Sequence, residues 1–281
     1  DGTLDYTTQT NILSDEARFN GFANVNFKHS FTTSGKELTA DLDYGRFNAE
    51  TLQDIHNVNA NPDGSIISDG KINTNQTGII TVKSIKTDYA HPFSEKMKVE
   101  IGLKSSLVTS DNDVKFYTIE NGNPILDPTK SNHFIYKENI NAAYSSFSKE
   151  LTKWDFQCGL RIEHTKTNGK QLATGEQFSR NYATIFPNVV VNRKFSEDNS
   201  LSFSYAKRID RPTYRQLNPF RIFVDSYTYV VGDPTLNSVI THSFELNHTF
   251  KGKYITTLSY TRSKESITDI FVQDDATRIS Y

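Results

Sequence analysis

The chain has 281 residues, 31 Lys and Arg against 33 Asp and Glu, and a formal charge of −2, so it lacks the basic excess that binding nucleic acid phosphates requires. A single cysteine, Cys158, excludes an internal disulfide and any paired-cysteine metal or redox motif. Only 36% of residues are hydrophobic while 12% are aromatic, and no run of about eighteen apolar residues marks a membrane helix. That composition leaves a β-rich chain as the reading, because strands that cross lipid need only every second residue to be apolar.

The elements follow in chain order as alternating rows. Phe19, Gly21, Ala23, Val25, Phe27 and Phe31 share one face, with Asn20, Asn24, Asn26, Lys28 and Ser30 on the other. Leu38, Ala40, Leu42 and Tyr44 come next, then Ile79, Thr81, Ile85 and Tyr89, then Met97, Val99, Ile101, Leu103 and Leu107. Phe134, Tyr136, Ile140, Ala142 and Tyr144 form the expected apolar face of the following strand, opposite Lys137, Asn139, Asn141 and Ser145. Trp154 to Ile162, Val189 to Phe195, Leu201 to Tyr205, Ile240 to Phe250 and Tyr254 to Tyr260 complete about ten strands. At roughly ten to sixteen residues, many exceed the five or six of ordinary soluble sheets.

The connections alternate in length. Thr32–Gly35, Pro92–Lys96, Lys149–Thr152, Ser196–Asn199 and Lys251–Lys253 are short, whereas Glu50–Gln76, Ser110–Asn132, Asn168–Arg180 and Asp210–Ser238 are long. In an up-and-down meander this sorts tight turns to one end and long loops to the other, the asymmetry of transmembrane barrels. Phe31, Phe93, Phe147, Trp154, Phe195, Phe250 and Tyr254 lie beside the tight turns, and Phe47, Phe134 and Tyr136 toward the long loops, as two aromatic belts would. The faces opposite the apolar rows carry charges and amides that need water or a polar filling. The expectation is an all-β, antiparallel, up-and-down transmembrane β-barrel, partial, with about ten strands of a larger barrel. Residues 1–281 read as a single barrel segment cut at both ends.

Motifs for chemistry are sparse. The seven histidines have no metal-ligand spacing, and no nucleophile-elbow, phosphate-loop or dinucleotide motif occurs. Asn61, Asp63, Ser65 and Asp69 offer oxygens, but without the glycine and terminal Glu of a calcium loop they read as a solvated loop. No cofactor and no catalytic residue is assigned, and the chain is read as a non-enzyme.

Several segments resemble the outer-membrane β-barrel family of TonB-dependent receptors of Bacteroidota. They are RIDRPTYRQLNPF at Arg208–Phe220, YTYVVGDPTL at Tyr227–Leu236, SFEL at Ser243–Leu246, DYAHPF at Asp88–Phe93, NHFIYKENINAAY at Asn132–Tyr144 and GLRIEHT at Gly159–Thr165. The resemblance implies a full barrel of about twenty-two strands, a bacterial outer-membrane location, ligand uptake across that membrane, an N-terminal plug domain and an inner-membrane energy-transducing partner. Neither the plug nor the closing strands is seen in these residues. In the first block, alternating charges meet Pro212 and Pro219, which remove ladder donors. Arg208, Asp210, Arg211, Tyr214 and Asn218 are the expected loop-pinning network, with Tyr214, Leu217 and Phe220 across the mouth. Phe223, Tyr227 and Tyr229 are the candidate ligand contacts. The alternative function is a surface adhesion or scaffold barrel without active transport. Outer-membrane lipid is the one partner common to both readings.

Overall fold

A computed structural model describes residues 6–219, 222–223, 228–274 and 279–280. The strands are β1 (Thr7–Ser30), β2 (Glu37–Ala60), β3 (Ile66–Ser94), β4 (Met97–Glu120), β5 (Asn123–Leu126), β6 (Asn132–Glu150), β7 (Trp154–Gln171), β8 (Gln177–Lys194) and β9 (Asn199–Asp210). A single helical turn, α1 (Tyr214–Leu217), precedes β10 (Ile222–Phe223), β11 (Tyr229–Val230), β12 (Val239–Phe250), β13 (Tyr254–Lys264), β14 (Gln273–Asp274) and β15 (Ile279–Ser280). Ten of these strands form one antiparallel meander in the order β1-β2-β3-β4-β6-β7-β8-β9-β12-β13, and β5 pairs with β4.

Register carries one face from β1 to β8. Phe27 opposes Ala40, which opposes Thr87, then Leu103, Ala143, Ile162 and Ile185. On the other face, Asn26 leads through Asp41, Lys86, Lys104, Ala142 and Glu163 to Thr184. The first face is apolar yet open, with Leu103 at 64% and Ile185 at 51% exposure. The polar face is the better covered one, which inverts the usual rule for a protein in water. An apolar wall with none of the described residues packed against it is the wall that lipid covers.

The apolar band does not run along one rung of paired residues. The rung through Ala40 crosses the lower part of the β2 stretch Leu38–Tyr44, but meets the top of the β7 stretch Phe156–Ile162 at Ile162. The band thus slips by about one residue per strand. With a rise of about 3.3 Å per residue and a strand spacing of about 4.8 Å, that slip is a tilt of about 35°. At that tilt the outward β4 stretch from Met97 to Leu107 stands about 27 Å tall, close to the apolar band of outer-membrane barrels.

The short connections are tight, as their residues dictate. Lys251 and Gly252 both have positive φ, 53° and 61°, and Lys253 N–H donates to Phe250 O at 3.1 Å, the primed turn that matches strand twist. Basic side chains lie over aromatic rings at this end: Lys36 over Phe31 at 4.9 Å, and Arg193 over Trp154 at 4.8 Å and Phe195 at 4.6 Å. These pairs anchor the lower rim where ring and charge meet the lipid–water boundary.

Three expectations are corrected. First, Glu50–Gln76 is not an open loop: β2 runs to Ala60 and β3 starts at Ile66, leaving only a tip at 61–65. Ser110–Asn132 likewise holds the end of β4 and a hairpin to β5, and Asn168–Arg180 is mostly strand. Polar composition hid these ladders. Side chains on both faces hydrogen-bond across them, as in Thr10–Asn57 at 2.7 Å on the inner face and His56–Asp69 at 2.6 Å on the outer one. Asn121-Gly122, with φ of 51° and 81°, was the legible hairpin signal inside the second segment. Second, β6 faces the other way. Its pairing with Val99, Ile101 and Leu103 sends Phe147, Ser145 and Ala143 outward, so Phe134, Tyr136, Ile140, Ala142 and Tyr144 point inward. Third, Phe47 pairs with Ile80 on the inner face, so Phe47, Phe134 and Tyr136 do not form an upper lipid belt.

Candidate functional site

The inward turn of β6 has a partner. Residues 211–219 and 228–238 fold back from the long-loop end onto the inner face of β6, β7 and β8. Phe134 and Tyr136 are buried against Leu217 of α1, and Phe178, Tyr214 and Leu236 pack around them. Phe178 lies across from Gly169, whose missing side chain leaves room for the ring. In a polar interior this is a local dry patch, and it holds the loop by burial of apolar surface.

Charge fixes the same loop at its start. Arg211 Nη2 donates to Glu163 Oε2 at 2.6 Å and to Thr165 Oγ1 at 3.1 Å, while its Nε donates to Tyr182 Oη at 3.3 Å. Arg161 Nε donates to the other Glu163 oxygen at 2.6 Å. Glu163 therefore sits between two guanidinium groups, an arrangement whose planar forks favour one geometry. Arg180 secures the far end by donating to the carbonyls of Pro234 and Leu236. Neither Glu163 nor Arg180 stood out in the sequence, since an inward charge on a strand looks like any other polar position. GLRIEHT marked the segment but not the role.

The middle of the loop closes on itself. Thr213 and Gln216 cap α1 reciprocally, Gly232 N–H donates to Asn218 O at 2.8 Å, and Asp233 N–H donates to Gln216 O at 2.7 Å. Thr235 donates to the Asp233 carboxylate through both its N–H, at 2.7 Å, and its hydroxyl, at 2.6 Å. The Thr235 hydroxyl is the main reason that carboxyl is held below its ordinary pKa. Gly232 is required by space rather than by backbone angle. A Cβ there would lie 2.5 Å from Gln216 O, 2.6 Å from Arg215 O and 2.7 Å from Asn218 O. Gly232→Ala should therefore unseat residues 228–238 at a cost of about 1–3 kcal/mol. Limited proteolysis of the full-length protein in its membrane would show a new cut in this loop, and an unchanged digestion pattern would count against the packing described.

The expected network divides in two. Arg211, Tyr214 and Asn218 are brought into the folded loop, with Asn218 buried. Arg208 and Asp210 sit exposed on the inner face at the end of β9. Asp210 instead helps line a polar cleft of about 450 Å³ with Arg211, Gln216 and Ser263. Among the candidate ligand contacts, Phe223 pairs with Tyr229 in the short β10–β11 ladder. Tyr229 is buried, so its ring is not part of an open capture surface. Tyr227 lies outside the described residues, as does Phe220. At the β2–β3 tip, Asp63 accepts from the N–H and hydroxyl of Ser65, and Asn61 donates to the same hydroxyl, so these oxygens shape a turn. Among the described residues no three His, Cys, Asp or Glu side chains converge as a metal site.

Several solved structures to which the chain is similar are outer-membrane receptors. The chain is similar to the ferric yersiniabactin uptake receptor FyuA from Yersinia pestis at 15% identity, over 92% of this chain and 45% of that one, with a TM-score of 0.48. The siderophore receptor PiuA from Acinetobacter baumannii gives 12% identity, 92% and 48% coverage and a TM-score of 0.49. FauA, the alcaligin outer membrane receptor from Bordetella pertussis, gives 14%, 91% and 46%, and 0.47. The chain spans less than half the length of these receptors. No curated protein matches it. The profile of one family, however, matches residues 29–281, which takes in nearly all of the meander and the whole inward-folded loop. The chain belongs to the outer membrane protein β-barrel family and resides in the bacterial outer membrane.

Proposed function

We infer that these residues form part of the wall of a TonB-dependent receptor that takes up a ligand across the outer membrane. One observation carries this reading: a charged inner face that receives loop material folded in from the end opposite the tight turns. Lys86–Asp88 at 2.6 Å, Lys98–Glu100 at 2.5 Å and Lys104 keep the lower interior polar, so it suits water or a polar domain rather than packed side chains. The folded loop and the cleft beside Asp210 stand at the outer mouth, where a solute arrives first. On this reading a plug domain fills the interior, and an inner-membrane partner supplies energy to move it. The ligand contacts come from the loop that carries Phe223, Tyr227 and Tyr229, with Tyr229 acting from beneath the surface. The wall offers binding and passage, with no chemistry on the solute.

The test compares wild-type cells with cells lacking the complete gene. Depletion of solutes from the medium is followed with and without a protonmotive-force uncoupler. The wild type should remove at least one solute that the deletion strain leaves, and the uncoupler should abolish the difference. Identical depletion in both strains, or a difference indifferent to the uncoupler, would reject energised uptake in favour of a surface adhesion or scaffold barrel.

A further inference from the structure

The outward face of β9, β12 and β13 carries an unusual rung. Tyr205, Phe244 and Tyr260 oppose one another across these strands, with ring centroids 4.8 Å and 6.1 Å apart. Two residues farther toward the long-loop end, Lys207 opposes His242, and His242 opposes Arg262. One rung beyond, Ile209 opposes Ile240 and Ile240 opposes Lys264. Tyr205 Oη and His242 Nδ1 are 3.0 Å apart, which ties the imidazole to the aromatic rung. The carboxylates of Asp210 and Glu245 belong to the opposite parity and face inward. On β8 the nearest outward positions are Pro187, Ile185 and Ala183.

Like charges set side by side on neighbouring strands repel. Some cations elsewhere have a carboxylate beside them, Lys28 with Glu37 at 2.9 Å and Lys115 with Asp113 at 3.1 Å. Here the outward positions of β9, β12 and β13 carry no carboxylate among the described residues, and the cations look away from the protein. Height says what they meet. From Tyr254 beside the tight turn to Arg262 is eight residues, or about 22 Å at the tilt above, so the rung stands at the far edge of an apolar band about 25 Å tall. That is the headgroup level of the outer leaflet.

We propose that Lys207, His242 and Arg262 form a binding site for lipopolysaccharide, through a phosphate of its lipid A. The Arg262 guanidinium and Lys207 ammonium compensate phosphate charge, the fork of the former matching phosphate oxygens. The Tyr205–Phe244–Tyr260 rung below receives acyl chains. Anionic headgroups relieve the repulsion that the bare rung would suffer, and the aromatic rings sit where chain meets headgroup.

The test uses the full-length protein purified from its own outer membrane in mild detergent, with bound lipid A measured by native mass spectrometry. At about a factor of five per cation, Lys207→Gln with Arg262→Gln should weaken retention about thirtyfold. The inward Lys104→Gln variant should retain wild-type lipid A. Heat-modified mobility on gels reports that each variant is folded, and Lys207→Arg, which keeps the charge, supplies a rescue. Purified lipid A added back should bind the wild type and not the double variant, whereas inorganic phosphate should not displace it. Equal retention by the double variant, equal loss in Lys104→Gln, or displacement by phosphate alone would overturn the assignment.

Discussion

Replacing Phe134 with alanine should release the inward-folded loop while leaving the strand ladder intact. Phe134 is 1% exposed, stacks with Phe178 at 6.4 Å between centroids, and lies under Leu217. Truncating so enclosed a ring typically costs about 3–5 kcal/mol, because transfer energy and a residual cavity add. The cost should fall on loop docking, since the β6 backbone is held on both sides by β4 and β7. Hydrogen exchange on the full-length protein in lipid would read it at two amides, Leu217 N–H bonded to Thr213 O and Gly232 N–H bonded to Asn218 O. Both should lose protection while β6 and β7 keep theirs. Ile135→Ala, one residue away on the outward face, should leave the loop closed. Equal effects of the two substitutions would mean that β6 does not present its faces as described.

Leu103→Arg should weaken folding into lipid by about 2–4 kcal/mol, the cost of a lipid-facing cation near the middle of the bilayer. Leu103 is well exposed and lies near the centre of the outward β4 stretch. In water an exposed leucine changed to arginine costs almost nothing, so the size of the effect reports the surroundings. Ser106→Arg, on the inner face of the same strand, should be tolerated to within about 1 kcal/mol, since water reaches that face. Urea titration of the full-length protein folded into lipid vesicles measures both. A neutral Leu103→Arg would remove the membrane from the account of this wall.

Both substitutions turn on facing, and facing was only partly legible in sequence. On β4 the odd positions Val99, Ile101, Leu103 and Leu107 are apolar and the even ones mostly charged, so one parity wins outright. On β6 apolar residues occupy both parities: Ile135, Ala143 and Phe147 against Phe134, Tyr136, Ile140, Ala142 and Tyr144. Counting favours the even set, but hydrogen bonding to β4 imposes the odd set as the outward one. A strand cannot choose its face alone, since one residue of slip moves every side chain to the other side. Phe134 and Tyr136 are there for Tyr214 and Leu217 of α1, about eighty residues away in the chain.

The loop network shows the same division. Arg211 and Tyr214 stood out because charged and aromatic residues flank Pro212 where regular pairing has to end. Their partners Glu163 and Phe178 lie on other strands, and no local spacing connects them to residues 211–214. The long polar hairpins were missed for a related reason. Asn, Thr, Asp and Ser read as loop by composition, yet each can satisfy a neighbour across a ladder, and only pairing reveals it.

Alternation of apolar residues and the short–long rhythm of turns determined, by themselves, an antiparallel membrane wall with its bends sorted to two ends. Both are local properties, written in steps of two residues and in the chemistry of single turns. Tertiary structure alone decided which face of β6 meets lipid, which loop enters the interior, and that cations from three strands stand together at one height. Those outcomes depend on register between strands far apart in sequence, and register is settled by the pairing of whole strands rather than by any one of them.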